Sequence, residues 1–161
     1  MNKIDDISSA RILIVDDQDT NLRLLEDLLE REGFSNIIST SDPERALELY
    51  RAFDPDLLLL DLMMPVVSGY TILEQLEKQR DPDDYRPVLV LTADATLQAK
   101  RRALALGAKD FLTKPFDGLE AMLRVWNLLE TRFLYRRLRA LEARTTSDAH
   151  SSDERRNNGA P

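Results

Sequence analysis

The chain of 161 residues predicts an α/β fold, doubly wound around a parallel central sheet. Two observations carry that expectation. The apolar pattern switches five times between a short continuous run and a stretch of helical spacing. The connections between them are short, as in βα units whose crossovers return each strand to the same sheet.

The first run, RILIV at 11–15, reads as a strand, and a helix follows over about 20–32. Leu22, Leu25, Leu28 and Leu29 fall on one face of that helix, and Gly33 supplies its C-terminal stop. SNIIST at 35–40 is the second strand. Ser41 or Asp42 can cap the next helix and Pro43 suits its first position; Ala46, Leu47 and Tyr50 follow, and Asp54-Pro55 closes it. DLLLL at 56–60 is the third strand, apolar on both sides. A helix over about 69–79 places Ile72, Leu73 and Leu76 on one face and leads into the loop RDPDDYRP. PVLVLT at 87–92 is the fourth strand, and the helix after it covers about 95–106 and ends at Gly107. DFLT at 110–113 is the fifth strand, and the last helix opens after PFDG at Leu119.

Composition excludes several chemistries. The absence of cysteine removes disulfides, thiolate nucleophiles and cysteine-bound metals. The single histidine, His150, lies in a polar tail, away from any expected catalytic centre. No apolar run approaches membrane-spanning length and the first ten residues lack a secretory leader, so a cytoplasmic protein without membrane contact is expected. Residues 1–118 carry 23 acids against 14 Lys and Arg, a net charge of −9, which argues against nucleic acid as a partner. Residues 131–144 reverse the sign, with Arg132, Arg136, Arg137, Arg139 and Arg144 against Glu142, a pattern that reads first as a solvated face.

Strand ends are where the chemistry collects. In an open parallel sheet the ligand crevice lies beyond the carboxyl ends of the strands. Asp16 and Asp17 stand at the end of the first strand, Asp61 at the third, Thr92 and Ala93 at the fourth, Lys114 and Pro115 at the fifth. Clustered carboxylates repel one another unless a cation holds them, and an all-oxygen donor set suits Mg²⁺. An ammonium, a hydroxyl and a backbone N–H beside them suit the oxygens of a phosphoryl group, which an aspartate can accept as an acyl phosphate. Each signal alone has a plainer explanation: an acidic pair often caps a helix, and Pro115 is an ordinary turn former. Their joint placement is what counts.

ILIVDDQDTN, DLLLLDLMMPVVSG, PVLVLTA and GAKDFLTKPFD together closely resemble the receiver domain of bacterial two-component response regulators, over about residues 10–130. The resemblance implies the strand order 2-1-3-4-5 and a phosphoacceptor that assists its own phosphorylation and hydrolysis without being an enzyme in the usual sense. By matching position, Asp61 is implied as the residue phosphorylated by a histidine kinase or histidine phosphotransfer protein. Asp16 and Asp17 match the acidic pair for Mg²⁺, with Asp17 the direct ligand and Asp16 acting mainly through water, and the Met63 backbone carbonyl completes the metal set. Thr92 and the Ala93 backbone match the phosphoryl-binding positions, Lys114 the motif lysine, and Thr92 with Phe111 the switch pair. A cis Lys114–Pro115 bond is implied too. Met63 and Asp94 match positions that tune water attack.

The last helix outruns the domain. From Leu119 to Ala143 there is neither Gly nor Pro, and Leu119, Met122, Trp126, Leu129 and Phe133 form an apolar face before the stripe drifts to Leu134, Leu138 and Leu141. The expected division is an N-terminal lead at 1–9, a receiver at 10–130, an extension of the last helix at 131–144 and a disordered tail at 145–161. Phe133 and the three later leucines are expected to lie beyond the receiver core and to favour a homodimer, splayed or antiparallel because the arginines repel, or with acidic residues of the other receiver as the arginines' counterpart. Protein contacts are the expected output. The alternatives are a phosphorylation-independent scaffold, or a receiver cut from a larger regulator such as one of cyclic-di-GMP turnover.

Overall fold

A computed structural model describes residues 6–157, with side chains through residue 153. A short 3₁₀ turn, Ile7–Ser9, is capped by the Asp6 carboxylate and leads into β1 (Arg11–Val15). Then come α1 (Asp19–Arg31), β2 (Asn36–Thr40), α2 (Ala46–Phe53), β3 (Leu57–Asp61), α3 (Gly69–Lys78), β4 (Val88–Thr92), α4 (Leu97–Ala105), β5 (Asp110–Thr113) and α5 (Gly118–Asn157). The five strands are all parallel, in the order β2-β1-β3-β4-β5. Asp42 caps a 3₁₀ turn at Pro43–Arg45, so α2 itself begins only at Ala46.

Both faces of the sheet are covered, which is why its central strands are apolar over 12–15, 57–60 and 88–91. Ile12 and Ile14 of β1 with Leu57 and Leu59 of β3 point toward Leu25 and Leu29 of α1 and Val125 and Leu129 of α5. Leu13, Val15, Leu58 and Leu60 point the other way, toward Ile72 and Leu73 of α3 and Ala103 of α4. Alternate side chains of one strand thus serve two cores.

The last helix departs from expectation in four ways. The composition from Thr145 onward predicts disorder, yet α5 continues through 157; residues 158–161 of that stretch, like 1–5 of the N-terminal lead, lie outside the described residues. Its polar residues do not break it because they bond back to their own helix: Thr145 and Thr146 donate to the carbonyls of Leu141 and Glu142, and Ser152 to that of Ala149. Phe133 belongs to the core, whereas Leu119 is exposed, because the receiver-facing line of α5 runs through Met122, Val125, Leu129 and Arg132. The arginines are not simply solvated. Buried Arg132 donates from Nε to Asp56 (3.1 Å) and from a terminal nitrogen to Asp84 (2.6 Å) and the Tyr85 carbonyl. Arg136 also reaches Asp56 (3.3 Å), and Arg139 reaches Asp81 (3.3 Å) and Asp84 (3.4 Å). Tyr135 stacks on Tyr85 with ring centroids 5.0 Å apart. The loop at 81–86 therefore clamps α5 where it leaves the sheet.

Candidate functional site

Register builds the site. Val15 is level with Leu60, Asp61 with Leu91, and Thr92 with Thr113, so Asp16, Asp61, Thr92 and Lys114 come out at one edge of the sheet. The strand feeding Asp61 is fully buried, which fixes that carboxylate in place. Behind it, the Gly69 N–H donates to the Leu62 carbonyl, and α3 starts so close to β3 that a Cβ at Gly69 would overlap the Asp61 carbonyl oxygen and Leu62.

Asp16, Asp17 and Asp61 each offer a carboxylate oxygen within 4.8 Å of the others. Their partners differ. Asp16 is fully buried and satisfied: one oxygen accepts from the Gln18 N–H (3.0 Å) and the Asn21 amide (3.4 Å), the other from the Lys114 ammonium (2.7 Å). One Asp61 oxygen accepts from the Met63 N–H (3.2 Å) and lies 3.5 Å from Lys114 Nζ. Asp17 has a buried oxygen, Oδ1, that accepts no hydrogen bond at all. A buried carboxylate oxygen without a donor is costly, and a hard cation among the three carboxylates would satisfy it. The residues present fit Mg²⁺.

Electrostatics agree with the geometry. Burial raises the Asp61 carboxyl to about 6; Lys114 opposes that rise, nearby Asp16 adds to it, the Met63 N–H opposes it and Asp17 adds to it. A charge brought into this cluster with positive sign would be welcomed by all three acids.

Thr92 is buried, and its hydroxyl oxygen accepts from the Asp94 N–H (3.1 Å), which leaves the hydroxyl proton to give. Ala93 beside it is exposed, as is the Met63 side chain. The Lys114 N–H donates to the Thr92 carbonyl, and the Lys114–Pro115 bond is cis. Phe111 is placed apart from the carboxylates, buried with α3 and α4, its ring 5.4 Å from the Lys100 ammonium. Two contributors escape sequence reasoning. Gln18 and Asn21 orient Asp16 and look, in sequence, like ordinary first-turn polar residues.

A family model, the Response regulator receiver domain, matches residues 12–125. The chain is 40% identical over 121 residues to the alkaline phosphatase synthesis transcriptional regulatory protein PhoP of Bacillus subtilis, covering 75% of this chain and 49% of that protein. It is 38% identical over 136 residues to the response regulator PleD of Caulobacter vibrioides, covering 84% of this chain and 29% of that one. The chain thus spans half or less of the length of these curated relatives. Among solved structures it is similar to the Francisella response regulator 1452 receiver domain, with TM-score 0.70, 29% identity, and 76% and 98% of the two chains covered. It is also similar to the Vibrio cholerae chemotaxis protein CheY4, with TM-score 0.65, 27% identity, and 73% and 98% covered.

Proposed function

The chain belongs to the family of response regulator receiver domains, and from that membership we propose that Asp61 accepts a phosphoryl group from a histidine kinase or histidine phosphotransfer protein in the cytoplasm, with Mg²⁺ as the required cation. The observation that supports it most is the Asp16, Asp17 and Asp61 cluster with its one unpartnered buried oxygen, set beside Lys114 and Thr92. As Asp61 attacks, an oxygen–phosphorus bond forms and the bond from phosphorus to the donor imidazole nitrogen breaks, the electron pair leaving with the imidazole.

Asp17 and Asp61 would hold the cation directly, Asp16 through water, and the Met63 carbonyl would add a further oxygen. Bound there, it would neutralise the carboxylates and the phosphoryl oxygens. Lys114 already lies between Asp16 and Asp61 and presents its charge to the incoming group. The Thr92 hydroxyl and the Ala93 N–H donate to the other phosphoryl oxygens. Met63, exposed at the mouth, and Asp94 set how readily water reaches the acyl phosphate.

Readout follows from packing. When Thr92 closes on a phosphoryl oxygen, the Phe111 ring repacks and carries Lys100 and α4 with it. A homodimer through α5 is the protein contact favoured by exposed Leu134, Leu138 and Leu141. The test is uptake of beryllofluoride with Mg²⁺, followed by amide chemical shifts. Changes at the site that spread through residues 95–125 are expected in the parent and none in Asp61→Asn. A full response in that variant would refute the assignment.

A further inference from the structure

At the amino ends of β3, β4 and β5, the end of the sheet opposite Asp61, the chain encloses a cavity of about 470 Å³. That volume lies within the range of small-molecule sites, roughly 300–1,000 Å³. Its apolar lining comes from Leu73 and Leu76 of α3 and from Leu106, with Tyr50 of α2 beside them. Another part of the lining is the loop at 84–86 together with Tyr135 of α5, so an occupant touches the receiver and the last helix at once. This wall is held in place before anything binds. Tyr85 stacks on Tyr135, and Arg86 donates from Nε to Asp84 (2.6 Å) and from a terminal nitrogen to Asp54 and the Pro55 carbonyl.

Charge decides what the cavity suits. Each carboxylate in the lining already has an ion-pair partner: Asp54 and Asp84 pair with Arg86, Asp81 with Arg139, and Glu77 with Arg80. Two of the lining cations do not. Arg51 donates to the neutral Gln79 amide (3.4 Å), Lys109 lies over the Tyr85 ring (5.6 Å), and neither meets a carboxylate at ion-pair distance among the described residues. Both are exposed and can turn toward an occupant. A cationic ligand would have to displace the partners of the carboxylates, and a neutral one would leave Arg51 and Lys109 unanswered. An aromatic anion satisfies both halves of the lining. Its ring lies against leucine and tyrosine, and its acid group is drawn to Arg51 on the α2 side or to Lys109 on the β5 side.

We propose that this cavity binds a small aromatic anion, at a site separate from the phosphoacceptor, and that the occupant bridges the receiver and α5. The site needs nothing from Asp61, so the two readings stand or fall apart.

8-Anilinonaphthalene-1-sulfonate, an aromatic sulfonate whose emission rises when it leaves water, is the probe. A saturable rise is expected with the full chain, and an equal one with Asp61→Asn. Of Arg51→Glu and Lys109→Glu, at least one is expected to weaken binding by about fivefold or more. Leu76→Trp fills the cavity and should abolish binding, and Tyr135→Ala should weaken it. Leu138→Lys, on the exposed stripe of α5, should change nothing. Displacement by adenosine monophosphate or by indole-3-acetate supports the site and tells a phosphate from a carboxylate; displacement by neither, or by neutral indole as readily as by indole-3-acetate, would overturn the anion class. Absence of binding at millimolar probe, binding that both charge reversals leave unchanged, or binding that Leu138→Lys abolishes would overturn the site itself. Full affinity in Tyr135→Ala would overturn the bridge to α5. The beryllofluoride response of each variant verifies its fold; if Leu76→Trp loses it, the two surface charge reversals decide.

Discussion

At pH 7 the Asp61 carboxylate is ionised against the pull of its burial, which raises it to about 6 from an ordinary 3.8. Between those two values the folded chain holds a proton that the unfolded chain has released, so stability rises as pH falls through that window. Above about pH 6 the cost is fully present. Asp61→Asn is therefore expected to be more stable than the parent at pH 7 by about 1–3 kcal/mol in the absence of divalent cations, with the gap shrinking toward pH 4. Urea unfolding in a chelator, repeated across that range, checks the sign. Cation binding follows the same titration: Mg²⁺ affinity is expected to fall as the pH drops below about 6 and Asp61 takes up a proton. Asp17→Ala should weaken Mg²⁺ binding more than Asn21→Ala does, since Asp17 holds the unpartnered oxygen while Asn21 only steadies Asp16. The positions of Asp16, Asp17, Asp61, Thr92 and Lys114 are legible in the sequence because a strand end in a parallel sheet has one destination. Which of the two adjacent acids is satisfied is not legible, since it depends on where Gln18 and Lys114 arrive.

Among the elements, α3 and α5 carry the largest consequences. Gly69 opens α3 against the backbone of Asp61, so Gly69→Ala must push the helix from β3 or bend the strand end. A loss of about 1–3 kcal/mol in urea unfolding, with slower phosphoryl uptake, is expected. In the clamp, burial works to raise Asp84, but its bond to Arg86 and the charge of Arg132 hold it below the usual carboxylate range. That contribution is present above the ordinary carboxylate pKa and is lost as pH falls through the depressed one, so the clamp survives the whole physiological range. Arg132→Leu leaves Asp56 buried without its main partner and is expected to cost about 3–5 kcal/mol. Arg139→Leu breaks an exposed pair and should cost less than about 1 kcal/mol. The strands and most helix limits are legible from period and caps. The clamp is not: its aspartates lie 76 and 48 residues before Arg132, and a basic helix face reads the same whether water or a carboxylate covers it.

For the molecule as a whole, stability resides in the two cores flanking the sheet, and the far end of α5 adds none. The described side chains at 145–153 are all exposed, and the hydrogen bonds of their hydroxyls are to their own helix. A chain ending at Arg144 is therefore expected to unfold within about 0.5 kcal/mol of the full chain at dilutions where neither associates. Helix there is a local preference unopposed by Gly or Pro, which composition disguises as disorder.

A rod gripped at one end by buried ion pairs is a lever. From Arg139, the last clamped residue, to Asn157 the helix rises about 27 Å. A tilt of about 10° at the grip, of the size that repacking around one side chain can produce, sweeps its far end through about 5 Å, several times the displacement at the fulcrum. Movements too small to matter at Asp61 become, at the tip, as wide as the spacing between two strands.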